Sequence, residues 1–440
     1  MKTLLGLTFG LALATATRAD DDPLEYWPQW RGPRGDGIAP KAAPPVEWSE
    51  TKNVRWKVPV PGGGSATPVI WGRRIFVLTA VDTGKIPSGG SRTPAVPGDP
   101  GMSTGTPTTV HQFLVICLDR ETGKTLWSRT AVEAVPHEGH HPSHGFASAS
   151  PVTDGKVLIA SFGSRGIFAY DLDGSLKWSK DLGPLKIKVG FGEGISPVLT
   201  GGLVLVNRDQ EGDSFIVGLD AATGQEKWRR ARDEKTTWST PYIVDHAGKT
   251  QAVVNGTIRT RSYDASSGEL LWECGGQGMN AIVMPVSGEG LVYCMTGYKG
   301  TALYAIRLDS KGDVTGGPQV AWKRTDAAPY VASPLLMNKL LYYTKERQGI
   351  LLCADAATGE LKFGPERLPG IDTMYASLAG ADGKIFVVGR EGTTLVLRYG
   401  PAFEVLSTNR LAEGVDASPV LVGRELYLRG THSLYRIDAD

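Results

Sequence analysis

Four of the seven histidines in this chain fall within one short stretch, PHEGHHPSHGF, residues 136–146. His137, His140, His141 and His144 form two His-x-x-His pairs, and imidazole is a common ligand of zinc and other transition metals. The chemistry on offer is metal binding and, with a metal in place, metal-dependent hydrolysis or elimination. Histidines three and four apart would share a helix face, but Gly139, Pro142 and Gly145 interrupt any helix here. The stretch reads as a polar loop, and the fold must say where it lies. Other catalytic signatures are missing from the sequence. There is no Gly-rich phosphate loop, no G-x-S-x-G elbow and no C-x-x-C-H haem attachment.

The bulk composition narrows the setting. The chain has 440 residues, with 56 Gly, 28 Pro and 11 Trp, so it is dense in turns. Its formal net charge is +1, which gives no general argument for nucleic acid or an anionic membrane surface. The opening MKTLLGLTFGLALATATRAD has a basic Lys2, an apolar run from Leu4 to Ala14 and small residues at Thr17 and Ala19. This is the pattern of a signal peptide over residues 1–19, so export to the periplasm or beyond is expected. No stretch approaches the roughly 20 apolar residues of a membrane span.

The elements that must position any site come from an internal repeat with a period of about 44 residues. The left half of each unit is a Ser or Thr, then Pro, then an apolar strand, as in SATPVI, SASPVT, GISPVL and WSTPYI. The marker stands at Pro68, Pro151, Pro197, Pro241, Pro285, Pro334, Leu378 and Pro419. The right half reads strand, turn, strand: LDRETGKTLW, YDLDGSLKW, LDAATGQEKW, YDASSGELLW, ADAATGELKF, and a stretched LDSKGDVTGGPQVAW. Asp at the turn entry accepts from following amides, Gly supplies positive φ, and the aromatic buries a large area on a neighbouring unit. Those aromatics are Trp127, Trp178, Trp228, Trp272, Trp322 and Phe363.

Four short strands per unit and eight units predict an all-β, eight-bladed β-propeller. Blades start near 66, 149, 195, 239, 283, 332, 376 and 417, so one propeller covers 53–440 after an extension at 20–52. The chain ends at HSLYRIDAD, before the outer strand of its last unit. NVRWKVPV, residues 53–60, carries Trp56 and precedes the first unit, so it is expected to close the ring as the outermost strand of the eighth blade. Cys117 and Cys353 fall on buried strand positions and read as thiols, while a Cys274–Cys294 disulfide is left open by spacing.

In such blades the second-to-third connections and the exits to the next blade emerge on one face. The insertion at residues 83–112 and the histidine loop therefore belong to that face as neighbours. The second-to-third connections repeatedly carry a base: Arg165, Arg208, Arg259, Lys299, Lys345 or Arg347, Arg390 and Arg429. Around the channel mouth they would favour an anionic ligand, with Asp209, Glu346 and Glu391 as nearby counter-charges. Equally, they are ordinary solvated turn residues.

The Asp, Thr-Gly and Trp spacing resembles the tryptophan-docking repeat of PQQ-type propellers, the group of the quinoprotein alcohol dehydrogenases and the assembly lipoprotein BamB. YWPQWRGPRGDG resembles the opening of exported bacterial PQQ-binding-like repeat proteins. The dehydrogenase resemblance implies PQQ with Ca2+, held between a Trp and a ring of two adjacent cysteines. Trp238 would offer the stacking floor, but no two cysteines here are adjacent. A monomeric binding or scaffolding module for a protein, glycan or anionic small molecule is therefore expected rather than an enzyme. A PQQ-dependent oxidoreductase is the alternative, and a metal-dependent hydrolase or lyase on the histidine loop the next.

Overall fold

A computed structural model describes residues 22–88 and 104–439. The signal-peptide residues and the middle of the 83–112 insertion lie outside them. Eight antiparallel sheets of the predicted kind form the ring. In blade 1 the strands Val69–Trp71, Arg74–Asp82, His111–Asp119 and Thr125–Ala134 lie in sequence order from channel to rim. The last blade combines Val420–Val422, Glu425–Arg429 and Ser433–Asp438 with Val54–Pro59, which pairs antiparallel to Ser433–Asp438. The ring is thus closed by the segment before its first blade.

The repeat chemistry explains the geometry. At the third-to-fourth turns, Asp119 accepts from Thr122 N at 2.9 Å and Asp220 from Thr223 N at 3.0 Å. In most of these turns the closing glycine, such as Gly174 with φ 85°, lies under the Trp of the preceding blade, whereas Gly400 in the turn of blade 7 is uncovered. A Cβ on Gly174 would come within 2.7 Å of Trp127. The indole Nε1 of Trp127 donates to Leu172 O at 3.1 Å, and that of Trp178 to Ala221 O at 2.9 Å. Trp56 treats Gly123 and Arg120 in the same way, so the closing strand also docks. The stretched fifth unit departs from the pattern because Gly312–Asp313 crosses to pair, in parallel, with Trp272 and Glu273 of blade 4.

The Ser or Thr before each marker proline has its own task. The Thr67 amide donates to Ser150 Oγ, Ser150 to Ser196, and Ser196 to Thr240 Oγ1. The series resumes from the Met284 amide to Ser333, Ser377, Ser418 and back to Thr67. A belt of hydrogen bonds joins the innermost strands, interrupted only at Thr240, where the next residue in line is Met284. Proline opens these strands because they border the channel as sheet edges, where no ladder donor is required.

The N-terminal extension fills the hairpin end of the channel. Trp27 exchanges two main-chain hydrogen bonds with Ile70, Pro28 O accepts from Thr153 N, and Gly37 and Ala39 bond Gly380. Trp27 is 1% exposed. Arg31 Nη2 donates to Asp36 O at 2.8 Å and Pro334 O at 2.5 Å, and burial pulls its pKa down to about 10. One end of the channel is therefore stoppered, and the other is a cup. The four cysteines are buried free thiols, so no Cys274–Cys294 bridge forms. Burial pushes the pKa of Cys117 and Cys353 up to about 12.

Candidate functional site

On the loop-rich face the channel opens into a cavity of about 740 Å3. Its floor is Trp30 from the stopper, whose Nε1 donates to Ser418 Oγ at 3.3 Å, surrounded by the hydroxyls of Thr67, Ser150, Ser196 and Ser418. Each of these oxygens accepts a main-chain amide from the belt. Their protons remain available to donate, because a hydroxyl carries one donor and two acceptor positions.

The walls are aromatic. Trp238 is fixed by its Nε1 donating to Gly192 O at 2.7 Å and by its amide donating to Ala281 O. Phe191, on the exit from blade 2, also lines the cup and packs edge-on with His141 at 5.4 Å. Tyr298 and Tyr330 stack at 4.8 Å with 23° between their planes. Tyr375 carries the Arg390 guanidinium over its ring at 4.1 Å, and its hydroxyl meets Ser143 Oγ at 3.1 Å. Trp238 stands three residues before its marker proline, Tyr330 four before Pro334 and Tyr375 three before Leu378. That recurrence was the available signal for the two tyrosines, which the repeat reading passed over.

The bases of the connections separate into distinct environments. Lys299 and Arg347 border the cup. Arg390 stands behind Tyr375 and grips Asp416, itself on the cup wall, at 2.6 and 3.0 Å. Lys345 is half-buried beside the cup without bordering it. Arg208 is 2% exposed and donates to Gly163 O and Gly183 O. Arg429 is 3% exposed, bonds Ala66 O at 2.7 Å, and is lowered to about 10 by burial. Asp209 is wholly buried in a two-point ion pair with Arg232 at 2.7 and 3.0 Å. Arg259 pairs at 2.8 Å with Asp313, on the added strand of blade 4, and with Glu273 on the strand beside it. Arg165 borders a separate cavity of about 50 Å3 together with Arg208 and Glu193. Burial raises the Glu193 pKa against the opposing hydrogen bonds from Ser164. In place of a ring of free cations, two border the cup and several others brace loops.

The histidine loop adjoins the insertion: a Cβ on Gly139 would lie 2.5 Å from Gly105 O. Its imidazoles do not converge. His137 faces the smaller cavity, whereas His141 and His144 border the cup. His140 Nδ1 meets His141 O at 2.8 Å, His141 Nδ1 meets Ser143 Oγ at 2.7 Å, and His144 Nδ1 meets Gly145 O at 2.9 Å. Short local bonds hold the rings of His140, His141 and His144 separately. Among the described residues no group of three or more His, Cys, Asp or Glu side chains is placed to hold a metal ion. The metal reading of His137, His140, His141 and His144, and the hydrolase built on it, therefore lack a donor set here.

Lys299 and Arg347 border the cup together with the carboxylate of Glu346. Desolvation lowers the His141 pKa, and the positive charges of Arg347 and Arg390 lower it further. Desolvation also pushes His144 down to about 4. Lys299 lies 5.6 Å from the Tyr298 ring centre. Neither Lys299 nor Arg347 makes a side-chain hydrogen bond or ion pair among the described residues.

The calcium and quinone pair implied by the dehydrogenase resemblance can be tested against these side chains. Trp238 offers one stacking face, but the carboxylates bordering the cup are Glu346 and Asp416, and Asp416 is held by Arg390. The cysteines are buried in the blades and none borders the cup. The residues do not fit a quinone clasped by a cysteine ring with calcium beside it.

Residues 111–363 match the protein family described as outer membrane protein assembly factor BamB. No curated protein matches the chain. Among solved structures, BamB from Moraxella catarrhalis is similar over 74% of this chain and 93% of that one, with TM-score 0.52 and 14% identity. The quinohemoprotein alcohol dehydrogenase from Comamonas testosteroni is similar over 95% of this chain and 81% of that one, with TM-score 0.61 and 10% identity. At these identities the two structures share the propeller fold with this chain and speak to nothing further.

Proposed function

The chain belongs to the PQQ-like β-propeller family of the assembly factor BamB, and from that premise we propose that it is an exported, non-catalytic binding module whose cup takes a small anionic ligand. The supporting observation is the pair Arg347 and Lys299, cations at the cup that no carboxylate neutralises through an ion pair among the described residues. Surface cations are commonly solvated, so their pairing state alone says little. Here they border a walled cavity within the range of about 300–1,000 Å3 usual for small-molecule sites. Low-dielectric walls strengthen attraction for an anion beyond what an open surface allows. A protein partner, the kind an assembly factor implies, would meet the same loop-rich face.

Calorimetric titration of the full chain with small mono-, di- and tricarboxylates and with inorganic phosphate tests the reading. Saturable binding that is lost in Arg347→Ala is expected. The opposing arm mixes the protein with PQQ and Ca2+ and follows dye-linked alcohol oxidation. Saturable quinone binding with turnover would replace the binding module by an oxidoreductase.

A further inference from the structure

We infer that the ligand of the cup is an acidic saccharide, a short oligosaccharide carrying uronate carboxylates; this rests on the reading of the cup as an anion site. Three features of the same cavity, placed at three depths, point to that class. At the floor, the hydroxyls of Thr67, Ser150, Ser196 and Ser418 have each accepted an amide and hold an unspent proton. A cluster of donors matches a ligand rich in oxygen acceptors, and an apolar ring entering here would leave those donors unpaired.

At mid-depth, the aromatic faces are offered singly. Tyr298 and Tyr330 lie against each other, so no ring fits between them, and Arg390 already covers one face of Tyr375. Phe191 and Trp238 come from the exits of blades 2 and 3, whereas the tyrosines come from the connections and exits of blades 5 and 6. A flat heteroaromatic ligand is best held between two parallel walls. A pyranose instead presents one C–H face to an aromatic ring and directs hydroxyls sideways to polar neighbours. Isolated aromatic faces above a bed of hydroxyls therefore suit sugar rings better than a flat conjugated system.

At the mouth, Arg347 and Lys299 are free to meet carboxylates, and the guanidinium of Arg347 can bind one through two parallel hydrogen bonds. His141, held towards its neutral form by burial and by Arg347 and Arg390, can donate or accept towards a sugar hydroxyl. Neutral sugar would use the floor and the walls while leaving both cations idle.

The test is calorimetric titration of the full chain with trigalacturonate and trimannuronate, with neutral galactotriose and with the flat tricarboxylate trimesate. At least one uronate should bind, about tenfold or more tighter than galactotriose. Arg347→Ala and Lys299→Asn should remove that margin, bringing the uronates down to the affinity of galactotriose for the same variant. Both side chains are exposed and make no hydrogen bond or ion pair among the described residues, and Asn tolerates the left-handed φ of 48° at position 299. Equal binding of galactotriose and the uronates would overturn the role given to the carboxylates. Trimesate or simple carboxylates binding through Arg347 while neither uronate binds would overturn the saccharide and leave the anion site standing. No Arg347-dependent anion binding at all would overturn both.

Discussion

The main-chain amide of Ser418 donates to Thr67 Oγ1 at 3.2 Å, joining residues 351 apart in sequence. The bond is the seam of the ring, where the belt of hydroxyls passes from the eighth blade to the first, and both residues are buried. Outer closure by Val54–Pro59 operates at the rim, while this contact operates at the channel. The two latches hold opposite edges of one blade pair.

Thr67→Val keeps the shape of the side chain and removes the acceptor. The Ser418 amide is then buried without a partner, at a cost of about 1–3 kcal/mol. Urea denaturation monitored by tryptophan fluorescence should show a lower midpoint by that amount with the slope unchanged. An unaltered midpoint would mean that water replaces the hydroxyl and that the belt is not a stabilising feature at the seam.

Docking of a Trp on the next blade's glycine can be separated from backbone strain. Gly174 and Gly72 both have positive φ, 85° and 57°, so alanine strains both. A methyl at Gly72 meets no atom within 4 Å, whereas at Gly174 it runs into the Trp127 ring. Gly72→Ala should cost about 1 kcal/mol and Gly174→Ala at least 1–3 kcal/mol more, the range for overpacking. Equal losses in thermal denaturation would remove the docking contribution.

Much of this was legible in sequence because it recurs. Eight copies of the strand marker, six of them Ser/Thr-Pro, and the Asp, Gly and Trp spacing exposed the blades, and an eighth unit lacking its outer strand pointed to residues 53–60. The stopper occurs once, so YWPQWRGPRGDG marked a family without disclosing that Trp30 floors a cavity. The bases at equivalent positions in the connections were visible, but their surroundings were not. Arg208 and Arg429 find carbonyls supplied by other loops, Gly163, Gly183 and Ala66, and repeat position carries no information about such neighbours. The histidine loop shows the same limit. Spacing counted four ligands, while the chain path points His137 at one cavity and His141 at another.

Stability should fall as pH drops from about 6.5 towards 4 because of His144. Its imidazole is desolvated and held neutral, with a pKa of about 4 against an ordinary 6.5. In that window the unfolded chain takes up a proton that the folded chain refuses, so the unfolded state gains as pH falls. At about 1.4 kcal/mol per pKa unit the full effect is a few kcal/mol. Glu193 works the other way: its raised pKa favours the folded state below its ordinary value of 4.5, and that advantage is lost as pH rises. Comparing His144→Asn with the unaltered protein cancels Glu193. The variant keeps a donor for Gly145 O and should show a flatter stability profile between pH 4 and 6.5. Parallel profiles would mean that His144 protonates freely in the fold.

Arg390 should govern anion binding without touching the ligand. Its guanidinium neutralises Asp416 through two hydrogen bonds, and Asp416 is the member of the pair that borders the cup. Arg390→Met leaves that carboxylate bare, so the site loses one positive charge and gains an exposed negative one. Affinity for an anionic ligand should fall by about tenfold, or about 1.4 kcal/mol. Asp416→Asn added to Arg390→Met removes the bare charge and should recover most of the loss, which a merely structural role for Arg390 would not allow. Arg259→Ala supplies the contrast, because Arg259 pairs with Asp313 and Glu273 on blade 4 and lies outside the cup lining. Titrating these three variants with whichever anion binds separates charge balance at the cup from the general basicity of the loops: equal losses in Arg390→Met and Arg259→Ala would show that only the overall charge of the face matters.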